Sequence, residues 1–472
     1  MKLLFVTSEA APFAASGGLG DVMGALPHAI AAKNPDYEVG VILPFYSGLK
    51  EEYRLRLEKV IDISFMLSWR STGATVYRIK DGEVSYFFVE NHNYFDRGRL
   101  YGEFDDAERF AFFSRAVVEY IKQSGNIPDI LHANDWQTAL SVIYLKTEYK
   151  YEPRLSDIKT VFTIHNIEYQ GRYDPYILGD VFGLDNDFRS VVEYDGDINL
   201  MKGAIVTTDY LTTVSPTYAR ELQYDYFAFG LADVIKANSY KMSGIINGID
   251  YGYFSPEEDK EIVFPYGIKN LKSGKGENKL ALQKELGLKV DKKIPMIAMV
   301  TRLTAGKGID LVLHIMDELV KENVQIVILG TGESAYEASF EYYDREYSNV
   351  KALIMFDRAL SKRIYAACDM FLMPSKSEPC GLAQMIACSY GAVPIVHSVG
   401  GLFDSIKPCG TDGENGFTFS NFNAHEMLYA IKNAISMYSD YKNWNALARC
   451  AKRSDFSWER SADKYIDIYN SL

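Results

Sequence analysis

Cysteine is scarce in this chain, with five among 472 residues. Cys368, Cys380, Cys388, Cys409 and Cys450 all lie late, are odd in number and form no C-x-x-C pair. A disulfide framework is therefore excluded, and a reduced compartment fits. The seven histidines are scattered without an H-E-x-x-H pairing, so neither structural nor catalytic zinc is expected. Long apolar runs are missing too. No stretch has the length of a membrane span, and the run that opens the chain is too short for a signal peptide and ends in Glu9. A cytoplasmic protein is expected. Positive charge is in deficit, 50 Lys and Arg against 63 Asp and Glu, a net −13. That argues against nucleic acid and against an anionic membrane surface, and it is also an ordinary device for solubility. Neither a Walker A loop nor G-x-G-x-x-G occurs, and no repeat or low-complexity tract is present.

What remains is a chain too long for one core, with an ordinary 47% of hydrophobic residues, so two or more domains are expected. Short β-rich runs alternate with amphipathic stretches. In the first half the strands are expected at 2–8, 39–43, 84–90, 129–134, 160–165 and 210–215, with helices at 21–33, 107–123 and 137–148. The pattern restarts with strands at 295–301, 324–329, 350–356, 370–373 and 393–397, and helices at 309–321, 335–347, 361–367 and 382–390. Alternation of this kind predicts two Rossmann-like, doubly wound α/β domains. The junction is expected near 241–250, and the Lys/Gly-rich stretch 269–279 reads as a surface loop. Two such domains facing each other would enclose a deep cleft at the carboxyl ends of their strands, where ligands of doubly wound sheets bind.

The strand-to-helix turns carry the chemistry. Gly17-Gly18-Leu19-Gly20-Asp21 follows the first strand and opens a helix, a place for a phosphate or a sugar hydroxyl, or simply a tight turn. Arg302 and Lys307 put two cations on one loop where a strand ends. The pair suits a diphosphate and charge growing on a departing phosphate, although two solvated cations would look the same in sequence. Glu378, in Ser377-Glu378-Pro379-Cys380-Gly381-Leu382, could hold sugar hydroxyls or serve only as a helix-start acid. Gly400-Gly401-Leu402 repeats the first turn as a second anion nest. His165 closes the strand 160–165 and is either a satisfied core histidine or a residue aimed at the cleft.

Taken in order, these blocks resemble the bacterial and plant starch/glycogen synthases, family 5 glycosyltransferases of the GT-B fold. The likeness includes Ser8-Glu9-Ala10-Ala11-Pro12-Phe13, Leu100-Tyr101-Gly102, His132-Ala133-Asn134-Asp135-Trp136, Thr163-Ile164-His165-Asn166, Tyr169-Gln170-Gly171, Asn247-Gly248-Ile249-Asp250 and Phe456-Ser457-Trp458-Glu459, and it runs essentially the whole length. It implies a retaining glucosyltransferase that extends an α-1,4-glucan at the non-reducing end from a nucleotide sugar, ADP-glucose, with no metal and no other cofactor. The implied catalytic residues are His165, Glu378, Arg302, Lys307 and Asp21. The donor would meet Gly17, Gly18, Arg302, Lys307, Asn247, Glu378, Cys380, Gly381, Leu382, Gly400, Gly401 and Phe356. The acceptor side would be lined by Asp135, Trp136, Tyr101, Asn166 and Gln170. The implied partners are the nucleotide sugar and the glucan, with no nucleic acid and no membrane. By the same resemblance the first domain spans 1–240 and recovers 456–472 from the C-terminus, and the second spans 241–455. The chain departs from the family pattern at Ala15, where a lysine is usual, at Val399, where a threonine is usual, and at Ala228 and Phe356. Those departures leave open a UDP-glucose enzyme, or a glucan-binding homologue with little transfer activity.

Overall fold

A computed structural model describes the whole chain, Met1–Leu472. It divides into one unit of Met1–Gly248 with Trp458–Leu472 and another of Ile249–Ser457. The change-over thus falls after Gly248 and before Trp458, against expected boundaries at 240/241 and 455/456.

The first unit is built on β1 (Lys2–Val6), β2 (Glu38–Pro44), β3 (Glu58–Leu67), β4 (Arg70–Asp81), β5 (Val84–Glu90), β6 (Ile130–Asn134) and β7 (Lys159–Ile164). A small separate sheet of β8 (Arg172–Tyr173), β9 (Glu193–Tyr194) and β10 (Asp197–Asn199) follows, before β11 (Tyr210–Thr213) and β12 (Met242–Gly244) rejoin the main one. The main sheet runs β12-β11-β7-β6-β1-β2-β5-β4-β3. It is parallel from β12 to β5 and antiparallel at β4 and β3. Most of the parallel strands are buried along nearly their whole length, as in sheets whose two faces are both covered by helices. The β3–β4 hairpin has no counterpart in the expected strands. β3 alternates exposed and buried residues toward its end, the mark of a strand with one wet face, and its exposed half carries too much charge to read as apolar.

From β1 the chain builds outward to β2 and β5, then returns to β6 on the other side of β1. The strand order reverses there, so the β1/β6 carboxyl ends are the topological switch point of the sheet. The last helix, Trp458–Ser471, belongs to this unit although it is last in sequence. Trp458, Ala462, Tyr465 and Tyr469 are buried in one core with Phe5, Met23 and Ile30. Tyr469 pairs with His132 Nδ1 at 2.7 Å, and Lys33 forms an ion pair with Asp463.

The second unit carries β13 (Met296–Val300), β14 (Gln325–Leu329), β15 (Val350–Leu353), β16 (Met370–Met373), β17 (Val393–His397) and β18 (Phe417–Phe419). The order is β15-β14-β13-β16-β17-β18, parallel throughout, with its switch point between β13 and β16. One expectation fails here. The stretch 269–279 is not a surface loop but enters the helix Leu271–Glu285, whose buried residues include Leu271, Gly274, Lys275, Asn278, Lys279 and Leu282. Their three- and four-residue spacing is helical, but two of them are lysines, which hid the periodicity. Gly274 is required by packing, since a Cβ there would stand 2.2 Å from Tyr266 Cβ.

Candidate active site

At the first switch point β1 leads into Thr7-Ser8-Glu9. Glu9 is buried, 4% exposed, and its carboxylate organises the turn that follows. One oxygen accepts from the Ser16 and Gly17 N–H groups, the latter at 3.2 Å. The other accepts from Ser16 Oγ at 2.8 Å and from the Tyr101 hydroxyl at 2.6 Å. Tyr101 also sits 2.8 Å from Ser8 Oγ, which donates because the tyrosine proton is engaged. Burial, with the nearby Tyr46 and Glu9, holds the Tyr101 hydroxyl well above its usual pKa. Gly17 and Gly18 lie exposed at the start of the helix Gly18–Lys33, which has no side-chain cap, and Asp21 is in its first turn. A Cβ added at Gly17 would meet nothing within 4 Å.

Across the switch point, Asp135 follows β6 with φ 57° and ψ 176°, a region populated by glycine that costs an aspartate roughly 1–3 kcal/mol. The conformation aims Oδ1 at the end of β7, where it accepts from His165 N–H at 2.7 Å and from Asn166 N–H at 3.4 Å. Burial pushes the Asp135 carboxyl up to about 7, against the two backbone N–H groups that lower it, and the charge of Glu9 adds to the rise. His165 Nε2 lies 2.9 Å from Asn134 Oδ1, and burial lowers its pKa to about 3, so the ring is neutral. Asn247, beyond β12, is 5% exposed with its Oδ1 unpaired.

Two residues expected to line the acceptor side have their side chains engaged within the protein. Gln170 is buried, donates to Phe229 O at 3.0 Å and accepts from Asn199 Nδ2 at 2.7 Å, so both ends of its amide are used inside the protein. Trp136 is packed against Phe110 and Tyr173 at 5.3 and 5.9 Å between ring centres. Gly171, at φ +63°, presses on it so closely that a Cβ would lie 2.7 Å from Trp136 Cε3.

The second switch point gathers charge. Lys307 Nζ contacts Glu378 Oε2 at 2.6 Å, and the same oxygen accepts from Ser375 Oγ at 2.8 Å. His397 Nδ1 bonds Ser375 O at 2.7 Å, and Gly401 N–H donates to Glu378 O at 3.0 Å. The ends of β13, β16 and β17 are thereby tied together. Close backbone approach is what the glycines provide. A Cβ at Gly401 would lie 2.1 Å from Cys380 O, and one at Gly308, φ +71°, would lie 2.1 Å from Pro374 O. Cys380 is buried, and Gly381 and Leu382 are half-buried beside Glu378. Arg302 is exposed on the Lys307 loop, and Gly400 opens the short helix Gly400–Ser405. Phe356 stands apart, 82% exposed beyond β15 at the sheet edge. Glu9, Ser375 and His397 are the organising residues that sequence reasoning passed over. Of these only Glu9 left a signal, an acid directly after an apolar strand and before a Gly-Gly turn. No group of three or more His, Cys, Asp or Glu side chains is gathered as metal ligands, and no helix is long and apolar enough to cross a membrane.

Residues 2–237 match the family described as starch synthase catalytic domain, and residues 282–450 match glycosyl transferases group 1. A glycogen synthase of Ligilactobacillus salivarius is 46% identical over the full length of both chains. This chain belongs to the glycogen and starch synthase family. A second glycogen synthase, from Clostridium beijerinckii, is 47% identical over 100% of this chain and 99% of its own. Among solved structures, the catalytic domain of Arabidopsis thaliana starch synthase IV, bound to ADP and acarbose, superposes with a TM-score of 0.90 at 34% identity, covering 99% of this chain and 98% of that one. The family membership makes the chain a glycosyltransferase of the GT-B fold. A sucrose-phosphate synthase from Thermosynechococcus elongatus, 16% identical with a TM-score of 0.62 over 100% of this chain and 98% of its own, shares the fold alone.

Proposed function

We propose that this member of the family is a retaining α-1,4-glucan synthase that transfers glucose from ADP-glucose to the non-reducing end of glycogen or a related glucan. The observation that carries the reading is the Lys307–Glu378 pair at the second switch point, framed by the Gly400-Gly401 turn and with Arg302 exposed on the same loop. In this reading Arg302, Lys307 and the backbone N–H groups of the two Gly-Gly turns hold the donor diphosphate. Glu378, His165 and Asn247 hold the glucose by its hydroxyls, with Cys380, Gly381 and Leu382 beside it and Phe356 near the base. Asp21, Asp135, Asn166 and Tyr101 serve the acceptor side.

The acceptor hydroxyl attacks the anomeric carbon from the face the diphosphate leaves. The glycosidic C–O bond of the donor breaks, the new one forms, and the acceptor proton passes to the leaving phosphate oxygen. Negative charge grows on that oxygen while the sugar becomes oxocarbenium-like, so fixed cations at the diphosphate contribute most in the transition state. Arg302 and Lys307 supply that positive charge, and the proposal assigns no step to a metal. The neutral His165 suits a hydrogen-bonding role rather than a charged one. A nucleotide-sugar donor fits the cytoplasm. The ADP and acarbose on the Arabidopsis relative support the choice of donor base and acceptor class.

Ala15 and Val399 favour the other reading, a glucan-binding homologue with little transfer. Incorporation of labelled glucose into glycogen, run with ADP-glucose and UDP-glucose side by side, separates the two. Incorporation is expected with ADP-glucose in preference to UDP-glucose. Glycogen binding without incorporation from either donor would overturn the proposal, and preference for UDP-glucose would overturn the donor assignment.

A further inference from the structure

Asp369 stands immediately before β16, and its Oδ2 accepts from the N–H of Met296, the first residue of β13, at 2.8 Å. It therefore marks the amino edge of the second sheet, the edge opposite Lys307 and Glu378, one strand length or about 16 Å away. A cavity of about 400 Å³ opens there beside the first turns of the helix Leu271–Glu285. That is the size of small-molecule sites, roughly 300–1,000 Å³.

Its lining is cationic in a chain that is otherwise acidic. Five lysines face it against Asp369 and Glu277. Two of the five are spent within the fold. Lys279 bonds Asp369 at 2.5 Å and the Tyr438 hydroxyl at 3.0 Å. Lys275 donates to the carbonyls of Tyr365, Ala366 and Tyr390 at 3.1–3.2 Å. The other three, Lys269, Lys272 and Lys292, are exposed at the rim, and none of them has an acidic partner. Lys272 is held 4.9 Å above the Tyr441 ring, and Tyr441 is itself 41% exposed. Behind it Tyr438 packs edge-on against Trp444 at 5.3 Å, which fixes the aromatic wall. Lysines without acidic partners lining one cavity beside a flat, partly exposed ring suit an anion that carries a ring.

We propose that this cavity is a binding site for a small phosphomonoester, remote from the transfer chemistry, with the phosphate held by Lys269, Lys272 and Lys292 and the attached sugar or base laid against Tyr441. The donor-side cations would also attract phosphates. The test is therefore run on the full-length Arg302→Ala/Lys307→Ala chain, by calorimetric titration with glucose 6-phosphate, AMP and inorganic phosphate. Saturable binding of at least one monoester is expected, tighter than that of inorganic phosphate by about fivefold or more. Adding Lys272→Gln and Lys292→Gln weakens it by about tenfold or more, and Tyr441→Leu removes the advantage over inorganic phosphate. Those side chains are on the surface, so unchanged thermal unfolding without ligand certifies the variants. AMP binding more tightly than glucose 6-phosphate would identify a base against Tyr441, and the reverse order a sugar. No heat at about 10 mM ligand, well beyond the millimolar affinity of weak sites, overturns the proposal. So does binding untouched by the lysine changes, or inorganic phosphate bound as tightly as the monoesters. None of these readouts depends on glucan synthesis.

Discussion

The two switch points use polar residues in opposite ways. At the first, side chains are turned on one another: Glu9 is committed to Ser16, Gly17 and Tyr101, and Asp135 to the backbone of His165 and Asn166. Buried acids there shape loops and present little free charge. At the second, Lys307 is partly exposed and Arg302 exposed, and the backbone glycines bring three strand ends around them. One edge is a scaffold for geometry, and the other sets the exposed Arg302 beside a Lys307–Glu378 ion pair. A transfer in which charge builds on the leaving group calls for this division, because fixed cations act at the diphosphate while the sugar needs only oriented hydrogen bonds.

If the first edge is a scaffold, breaking it should cost stability. The largest effect is expected for Glu9→Ala, which removes a buried carboxylate that accepts from Ser16, Gly17 and the buried Tyr101 hydroxyl. The first unit should lose about 3 kcal/mol, read by calorimetric unfolding. Asp135 comes next and gives a pH signature. Below about pH 4 both folded and unfolded forms carry the proton. From there to about 7 only the folded form keeps it. Stability from this group is therefore present at low pH and lost as pH rises through 7. Between pH 5.5 and 8 the wild-type chain should lose roughly 2 kcal/mol relative to Asp135→Asn. The buried, neutral His132 and His165, lowered to about 3, act in the opposite direction below pH 6.5, equally in both chains, and cancel in the difference. Tyr101→Phe removes the hydrogen bonds to Glu9 and Ser8 and should cost about 1.5 kcal/mol of stability. The smallest effect is expected at the missing lysine. If Arg302 and Lys307 carry the charge, Ala15→Lys should change turnover or donor affinity with ADP-glucose by less than about tenfold, or 1.4 kcal/mol. An inactive natural chain that gains transfer through Ala15→Lys would break the comparison outright.

The parallel cores of both sheets were legible because apolar strands alternating with amphipathic helices admit few topologies, while β3, β4, β12 and β18 were not among the expected strands. Lys307, Glu378 and Gly401 were legible for the same reason, each standing at a strand end. What escaped depends on contacts between distant residues. Glu9 acquires its role from Tyr101, which lies far along the chain. Gln170 and Trp136 sit among motifs at strand ends, yet Gln170 is hydrogen-bonded to Asn199 and Trp136 packs against Phe110. The lysines of 269–279 read as a solvated loop, although two of them are buried on a helix and satisfied by Asp369 and by backbone carbonyls.

The most direct test of the division of labour is the kinetics of Lys307→Ala and Arg302→Ala. In variants that unfold at the wild-type temperature, turnover should fall by roughly 30- to 1,000-fold, about 2–4 kcal/mol of transition-state stabilisation, while glycogen binding changes little. Unchanged turnover in the folded variants, or a loss of glycogen binding that matches the loss of turnover, would contradict the assignment of the second edge as the source of catalytic charge.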